Sequence, residues 1–402
     1  MADVPLVFAL IGLVFYTVLG GADFGAGFWE LGAGRGPRSR RIHEHAHRAM
    51  GPVWEANHVW LIFALTVTWT AYPGVFASIA STLAIPLFIA ALGIIMRGTT
   101  YALRSTEAAS RLSGVFDALF SVSSILTPLA LGMAVGGIVS RRVPAGNAAG
   151  DQLTSWLNPT SAVVGVLAVA TAAYLAAVFL AGDARRIGDT ELENAFRRRA
   201  LLAGVGAGVL ALGALGVLAA DASWIFHRLV HGRALPALVV SLLAGAATLY
   251  LVWRRRYEPS RYSSSLAVGA VVAGWALAQL PVLLPGVTVD EAAAPHDTLV
   301  VLTVAIVAGG ALVFPALALL FRLVLTGRFE LPFETARPLP GIAVTFRTGL
   351  FARAAVASLV VGVGLTTIAE PPWAHAVGVC ALLAFVVLAF PAALPPEVTR
   401  RS

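Results

Sequence analysis

Residues 5–31, PLVFALIGLVFYTVLGGADFGAGFWEL, form an unbroken apolar run with a single aspartate, Asp23, set well inside it. At 1.5 Å of rise per residue such a run exceeds the roughly 20 residues that cross a bilayer as a helix. Water is absent from the hydrocarbon core, so a run of this length must close its backbone hydrogen bonds internally, and it does so as a helix. Further runs of the same kind fall near 53–72, 75–96, 112–139, 159–181, 200–220, 234–253, 264–285 and 298–325. Two more, near 349–369 and 373–395, are separated by the turn-forming Glu370-Pro371-Pro372. The sequence therefore predicts eleven spans.

The bulk composition agrees. The 402 residues are 58% hydrophobic and 12% charged, where soluble domains carry about 25% charged residues. This excludes an ordinary soluble enzyme and also a disordered or nucleic-acid-binding chain, despite a net charge of +7. All 28 basic residues are arginine, and their placement explains the charge. If loops alternate sides, 24 of the 28 arginines fall on one side and four, Arg141, Arg142, Arg228 and Arg233, on the other. Basic residues mark the cytoplasmic side, so the expected topology is multi-pass with the N-terminus outside and the C-terminus cytoplasmic. The first residues lack a basic region, so a retained first helix is expected rather than a cleaved signal. One cysteine, Cys380, allows neither an internal disulfide nor a cysteine metal site.

Gly21 and Gly25 stand four apart on the first span, a spacing that lets helices approach closely. The run Gly20-Gly21-Ala22-Asp23-Phe24-Gly25 lacks the Lys and the Ser or Thr of a phosphate loop.

Charged residues within spans are costly, which makes them functional candidates. Asp23 is one. Glu55, Asn57 and His58 open the second span in Gly51-Pro52-Val53-Trp54-Glu55-Ala56-Asn57-His58-Val59-Trp60, and Asp117 lies near the start of the fourth. Glu55 and His58 share a helix face. A di-iron site would require a second Glu-x-x-His, and the chain has none. Two readings stay open: proton handling by a carboxylate and an imidazole near the membrane surface, or interfacial residues that cap a helix or pair with Arg48. His43, His45 and His47 alternate in the first basic segment, where the flanking arginines favour a helix or solvated loop over a metal site. His227 and His231 share a face of a short amphipathic segment. Haem iron takes His or Met, and the spans offer His58, Met96 and Met133, with His375 at an edge. That is too few for several haems with two ligands each.

The first-helix glycine and aspartate motif, the basic segment, the Gly51 to Ile62 stretch including Trp54 and Trp60, and Arg97 and Tyr101 leading to Arg104 together resemble the N-terminal signature of subunit II of cytochrome bd quinol oxidases. The resemblance covers about the first hundred residues in motif and the next two hundred in helix number. It implies an all-α integral membrane fold of two four-helix transmembrane bundles and a ninth helix. The chain would divide into residues 1–139, 140–285 and 286–340, followed by an extension, 341–402, with two helices beyond the family pattern. It further implies a partner, subunit I, which binds haem b and haem d, oxidises quinol and reduces O2 to water in the aerobic electron transport chain of a bacterial cell membrane. This chain would ligate no haem. Small accessory subunits, quinone and lipid are further implied contacts. Asp23 and Glu55 match the family's acids for proton uptake from the cytoplasm, and His58 and Trp54 match the same motif. A proton-coupled secondary transporter using the same acids is the competing expectation.

Overall fold

Prolines decide where several helices begin. Pro37, Pro73 and Pro159 each occupy the first turn of a helix, where the absent N–H has no partner to lose. The structure is a computed structural model and describes residues 1–34, 36–103, 113–325, 350–367 and 371–393. Arg104 lies outside the described residues, as do the side chains of Glu55, Tyr101, Asp117 and His375.

The described chain is helical almost throughout, as the sequence predicts. Helix α1 runs Asp3–Leu31 and α2 Pro37–Ala71. Tyr72 has φ −136° and ψ 61°, outside the helical region; a residue before proline is pushed there by the ring that follows. The chain consequently bends by 119° into α3, Pro73–Thr82. Helix α4 follows at Ala84–Leu103. The sequence reading placed one continuous span over 75–96, whereas the structure divides it at Leu83. Pro86 supplies the reason, since it has no N–H to offer the Thr82 carbonyl.

Then come α5 (Ser113–Val139), α6 (Pro159–Arg186) and α7 (Thr190–Asp221). Asn158 caps α6 by accepting from Ser161 N at 2.9 Å, and Asp189 caps α7 by accepting from Leu192 N at 3.0 Å. The short amphipathic helix α8, Ser223–His231, leads to α9 (Leu235–Trp253) and α10 (Tyr257–Gln279). A small antiparallel hairpin, β1 (Val282–Leu284) with β2 (Val287–Thr288), turns through Gly286 at φ +78°. It passes through a capping box between Thr288 and Glu291 into α11, Val289–Ala292, and then α12, His296–Leu325.

The chain divides into two compact units, Met1–Val313 and Phe314–Ser402. In the first, α1 is the hub, with α2, α5, α6 and α10 packed around it, while α6, α7, α9 and α10 pack on one another. In the second, α13 (Leu350–Thr367) packs on α14 (Pro372–Ala393), with Gly362 against Leu382. Among the described residues six helices are long and apolar enough to cross a membrane, and the bent stretch Ala56–Thr82 is a seventh candidate. Ile62, Trp69, Phe88, Leu202 and Leu242 are each more than 60% exposed on the outside of these helices, an apolar exterior suited to lipid rather than water. The protein is a multi-pass membrane protein.

Candidate functional site: a buried charge cluster on the first helix

Asp23 sits on α1 with none of its surface exposed, and so does Arg97 on α4. Arg97 Nε donates to Asp23 Oδ2 at 2.8 Å and Nη2 donates to Oδ1 at 2.6 Å. Nη2 also donates to the Asp23 carbonyl at 2.5 Å, and Nη1 to Ser124 Oγ on α5 at 2.7 Å. From α2, Asn57 Nδ2 donates to Asp23 Oδ2 at 3.3 Å. The guanidinium carbon lies 5.0 Å from the Phe24 ring centre and 4.1 Å from that of Phe120. Four helices thus converge on one ion pair.

The energetics explain this density of partners. Removing two charges from water costs several kcal/mol per ion, about 20 kcal/mol in the idealised dry limit, and Coulomb attraction repays it only with good geometry and further hydrogen bonds. The two-pronged contact with a carboxylate supplies the geometry. Ser124, Asn57 and the Asp23 carbonyl supply the additional bonds, and the two aromatic faces receive the cation.

Glycines make the convergence possible. A Cβ on Gly25 would overlap the Ala172 carbonyl of α6, and one on Gly27 would overlap Ser124 Oγ. Gly21 would meet Leu175 Cδ1 at 3.0 Å. The motif residues Gly21 and Gly25 therefore set how closely α1 approaches α6, and Gly27 admits the hydroxyl that holds Arg97.

The structure brings three of the residues singled out from sequence together: Asp23, Asn57 and Arg97. The sequence reading counted Arg97 among cytoplasmic loop arginines; instead α4 continues to Leu103 and turns the guanidinium inward, where Asp23 neutralises it. His58 stands apart. Its Nδ1 lies 2.9 Å from the Trp54 carbonyl on its own helix, which accepts only, so the proton is on Nδ1. The Trp54 ring stands edge-on to the imidazole at 5.4 Å. Trp60 stacks on Phe15 of α1, centroids 4.4 Å apart. Glu55 and Tyr101 lie on α2 and α4, with side chains outside the described set.

The sequence reading missed Ser124, Phe120 and Gly27, and also a second buried acid. Glu30, 3% exposed, is near the end of α1, and His43 Nδ1 lies 2.9 Å from its Oε2. The three histidines of the basic segment are on α2, not in a loop, and they diverge around it. His43 meets Glu30, while His45, 5% exposed, has Nε2 3.0 Å from the Leu180 carbonyl.

Among the described residues, three of the His and Met side chains are already engaged within the protein. His45 is committed to a backbone carbonyl, Met133 packs against Gly165, and Met50 is enclosed in the α1, α2 and α6 core. Among the described residues no group of three or more His, Cys, Asp or Glu side chains could hold a metal ion.

Comparison with known proteins agrees with this signature. The sequence model described as cytochrome bd terminal oxidase subunit II matches residues 1–324. The cytochrome bd ubiquinol oxidase subunit 2 of Bacillus subtilis (strain 168) is 29% identical over 130 residues, 32% of this chain and 38% of that protein. The cytochrome bd-I ubiquinol oxidase subunit 2 of Escherichia coli (strain K12) is 28% identical over 127 residues, 32% and 33% of the respective chains. The chain thus aligns with only about a third of the length of these relatives. The fold itself extends further: the bd oxidase from Geobacillus thermodenitrificans superposes with a TM-score of 0.68 and 25% identity, covering 81% of this chain and 99% of that one. With four fifths of its residues matched, the chain belongs to the cytochrome bd terminal oxidase subunit II family.

Proposed function

We propose that this chain is the subunit without haem of a quinol:oxygen oxidoreductase, paired with a haem-bearing subunit I, and that it delivers protons from the cytoplasmic ends of α1 and α2. The haems of subunit I, b and d in type, supply the redox chemistry. This chain supplies scaffold and a polar seam. The observation that carries the reading is the fully buried Asp23, Asn57 and Arg97 cluster, built on the helices that bear the family signature.

Within the seam the residues divide the work. Arg97 holds Asp23 in place, so Asp23 acts as a charge-balanced node that keeps α1, α2, α4 and α5 in register and offers acceptor oxygens to water. Glu55 is the group that loads and releases protons, near the basic end of α2. His58 has its Nε2 left for exchange, because Nδ1 is occupied by the Trp54 carbonyl. The arginine asymmetry of the sequence supports a cytoplasmic location for this end, the side from which protons for oxygen reduction would be drawn. Quinone, lipid and small accessory subunits are expected contacts of the assembled complex.

Purification in mild detergent with an optical spectrum and a subunit gel tests the reading. A haem-containing partner of similar size is expected. A complex without haem that instead couples solute uptake to protons would replace it with the transporter reading.

A further inference from the structure

Three protonatable side chains stand on one line of α1. Tyr16, Asp23 and Glu30 follow at intervals of seven residues and are 7%, 0% and 3% exposed. Seven residues return a helix to within about 20° of the same face. Each step rises about 10.5 Å, so the line spans about 21 Å, two thirds of a hydrocarbon core of about 30 Å.

Each station has a polar contact or an unmet need. Glu30 is paired with His43, whose side chain is 23% exposed and so reaches the basic end of the molecule. Asp23 is bonded by Asn57 and Arg97. The ring of Tyr16 lies against Gly20, 3.4 Å from where a Cβ would stand, one turn toward Asp23. Tyr16 Oη and Asn57 Oδ1 are buried and find no hydrogen-bond partner among the described residues. Buried polar atoms of this kind are commonly satisfied by internal water.

Among the described residues, further groups stand around the line. From α2 it meets His43, with His47 one turn further, and Asn57; from α4, Arg97; and from α5, Ser124 and Phe120. Helices α6 and α10 meet α1 away from this line: Ala172 and Leu175 lie at Gly25 and Gly21, the Ala173 carbonyl accepts from Trp29 Nε1, and Gly269 lies against Val14. Arg199 of α7 lies 5.2 Å from the ring of Trp29, the residue before Glu30.

We propose that the Glu30 and His43 pair is a proton-collecting site, and that protons pass from it along the α1 face, through water beside Asp23, to Tyr16. This rests on the oxidase reading above and adds a route besides Glu55. The step balances simply. His43 gives its Nδ1 proton to Glu30 Oε2 and regains one at Nε2 from bulk water, and Glu30 passes its proton to water on the Asp23 side. No bond other than O–H and N–H changes.

The test uses the whole complex, with oxygen consumption measured across roughly pH 6 to 8, where imidazole titrates. Glu30→Gln and His43→Ala are expected to slow turnover about tenfold, less than the 10²–10⁴ of direct general acid catalysis because water substitutes in part. The deficit should widen as pH rises and protons become scarce, and Glu30→Asp should recover most of it. Tyr16→Phe separates relay from structure: deleting an unpaired buried hydroxyl is neutral or stabilising for the fold, yet here it should slow turnover at unchanged haem content. A normal pH profile in Glu30→Gln and Tyr16→Phe, with Glu55→Gln slowed, overturns this inference and leaves the oxidase reading standing. Normal rates in all three variants of a haem-containing complex overturn proton uptake at this end altogether. A loss uniform in pH that tracks lost haem, in Glu30→Gln and Glu30→Asp alike, makes the pair structural and also overturns it.

Discussion

Arg97 grips Asp23 with two parallel bonds, Nε to Oδ2 at 2.8 Å and Nη2 to Oδ1 at 2.6 Å, and neither residue has any exposed surface. Truncating one member of such a pair strands the other charge in a dry interior, at about 3–5 kcal/mol. Asp23→Ala or Arg97→Ala should therefore sharply reduce the yield of folded complex and its thermal midpoint. Arg97→Lys should fare little better, since an ammonium cannot span both carboxylate oxygens and Ser124. The double variant Asp23→Leu with Arg97→Met leaves no orphaned charge and should be more stable than either single truncation. Equal loss in single and double variants, measured by thermal unfolding in detergent, would refute a coupled pair.

This pair also shows what was legible in the sequence. Hydropathy alone disclosed Asp23, because an acid inside a long apolar run is conspicuous. Arg97 was placed in a cytoplasmic loop because an arginine at the end of an apolar run ordinarily marks the interface. No spacing rule joins residues 74 apart on different helices, so their pairing needed the fold. Glu30 lay in the same run as Asp23 and escaped notice near its end, where charge is cheap; packing of α2 over it is what buries it. The histidines of the basic segment read as helix or loop because arginines suit both, and the helix start at Pro37 decided it.

Gly25 gives a local test of helix approach. A methyl group there would collide with the Ala172 carbonyl, which is backbone and cannot rotate away. Gly25→Ala is expected to destabilise the complex by about 1–3 kcal/mol through forced separation of α1 and α6. Gly208 on α7 has nothing within 4 Å of its would-be Cβ. Gly208→Ala should accordingly be neutral or gain up to about 1 kcal/mol of helix propensity. A reversed order of thermal midpoints would contradict the packing.

Outside the spans, Asp189 joins α6 to α7 and binds Arg41 of α2 at 2.6 Å. The Leu192 N–H it caps, and then Arg41, hold its carboxyl below the usual carboxylate range. A depressed native pKa contributes stability that is fully present above the unfolded value, about 3.9, and is lost as pH falls through the native value. The stability difference between the protein and Asp189→Ala should thus be largest near neutrality and shrink on acidification below about pH 4. The share due to Arg41, whose side chain is 45% exposed, should also shrink with added salt. A difference that stays unchanged on acidification would mean that the charge of Asp189 does not account for it.

Glu55 carries the most direct functional expectation. Glu55→Gln keeps the shape of the side chain and removes its capacity to carry a proton. If Glu55 loads protons for oxygen reduction, turnover should fall about tenfold or more while the haem spectrum and subunit ratio of the complex stay as they were. His58→Gln should cost less, because the imidazole already spends Nδ1 on the Trp54 carbonyl and only Nε2 remains to exchange. Measuring oxygen consumption of both variants at matched haem content ranks the two groups. A larger defect in His58→Gln than in Glu55→Gln would transfer the loading role to the imidazole, and full activity in both would remove this end of α2 from the proton path.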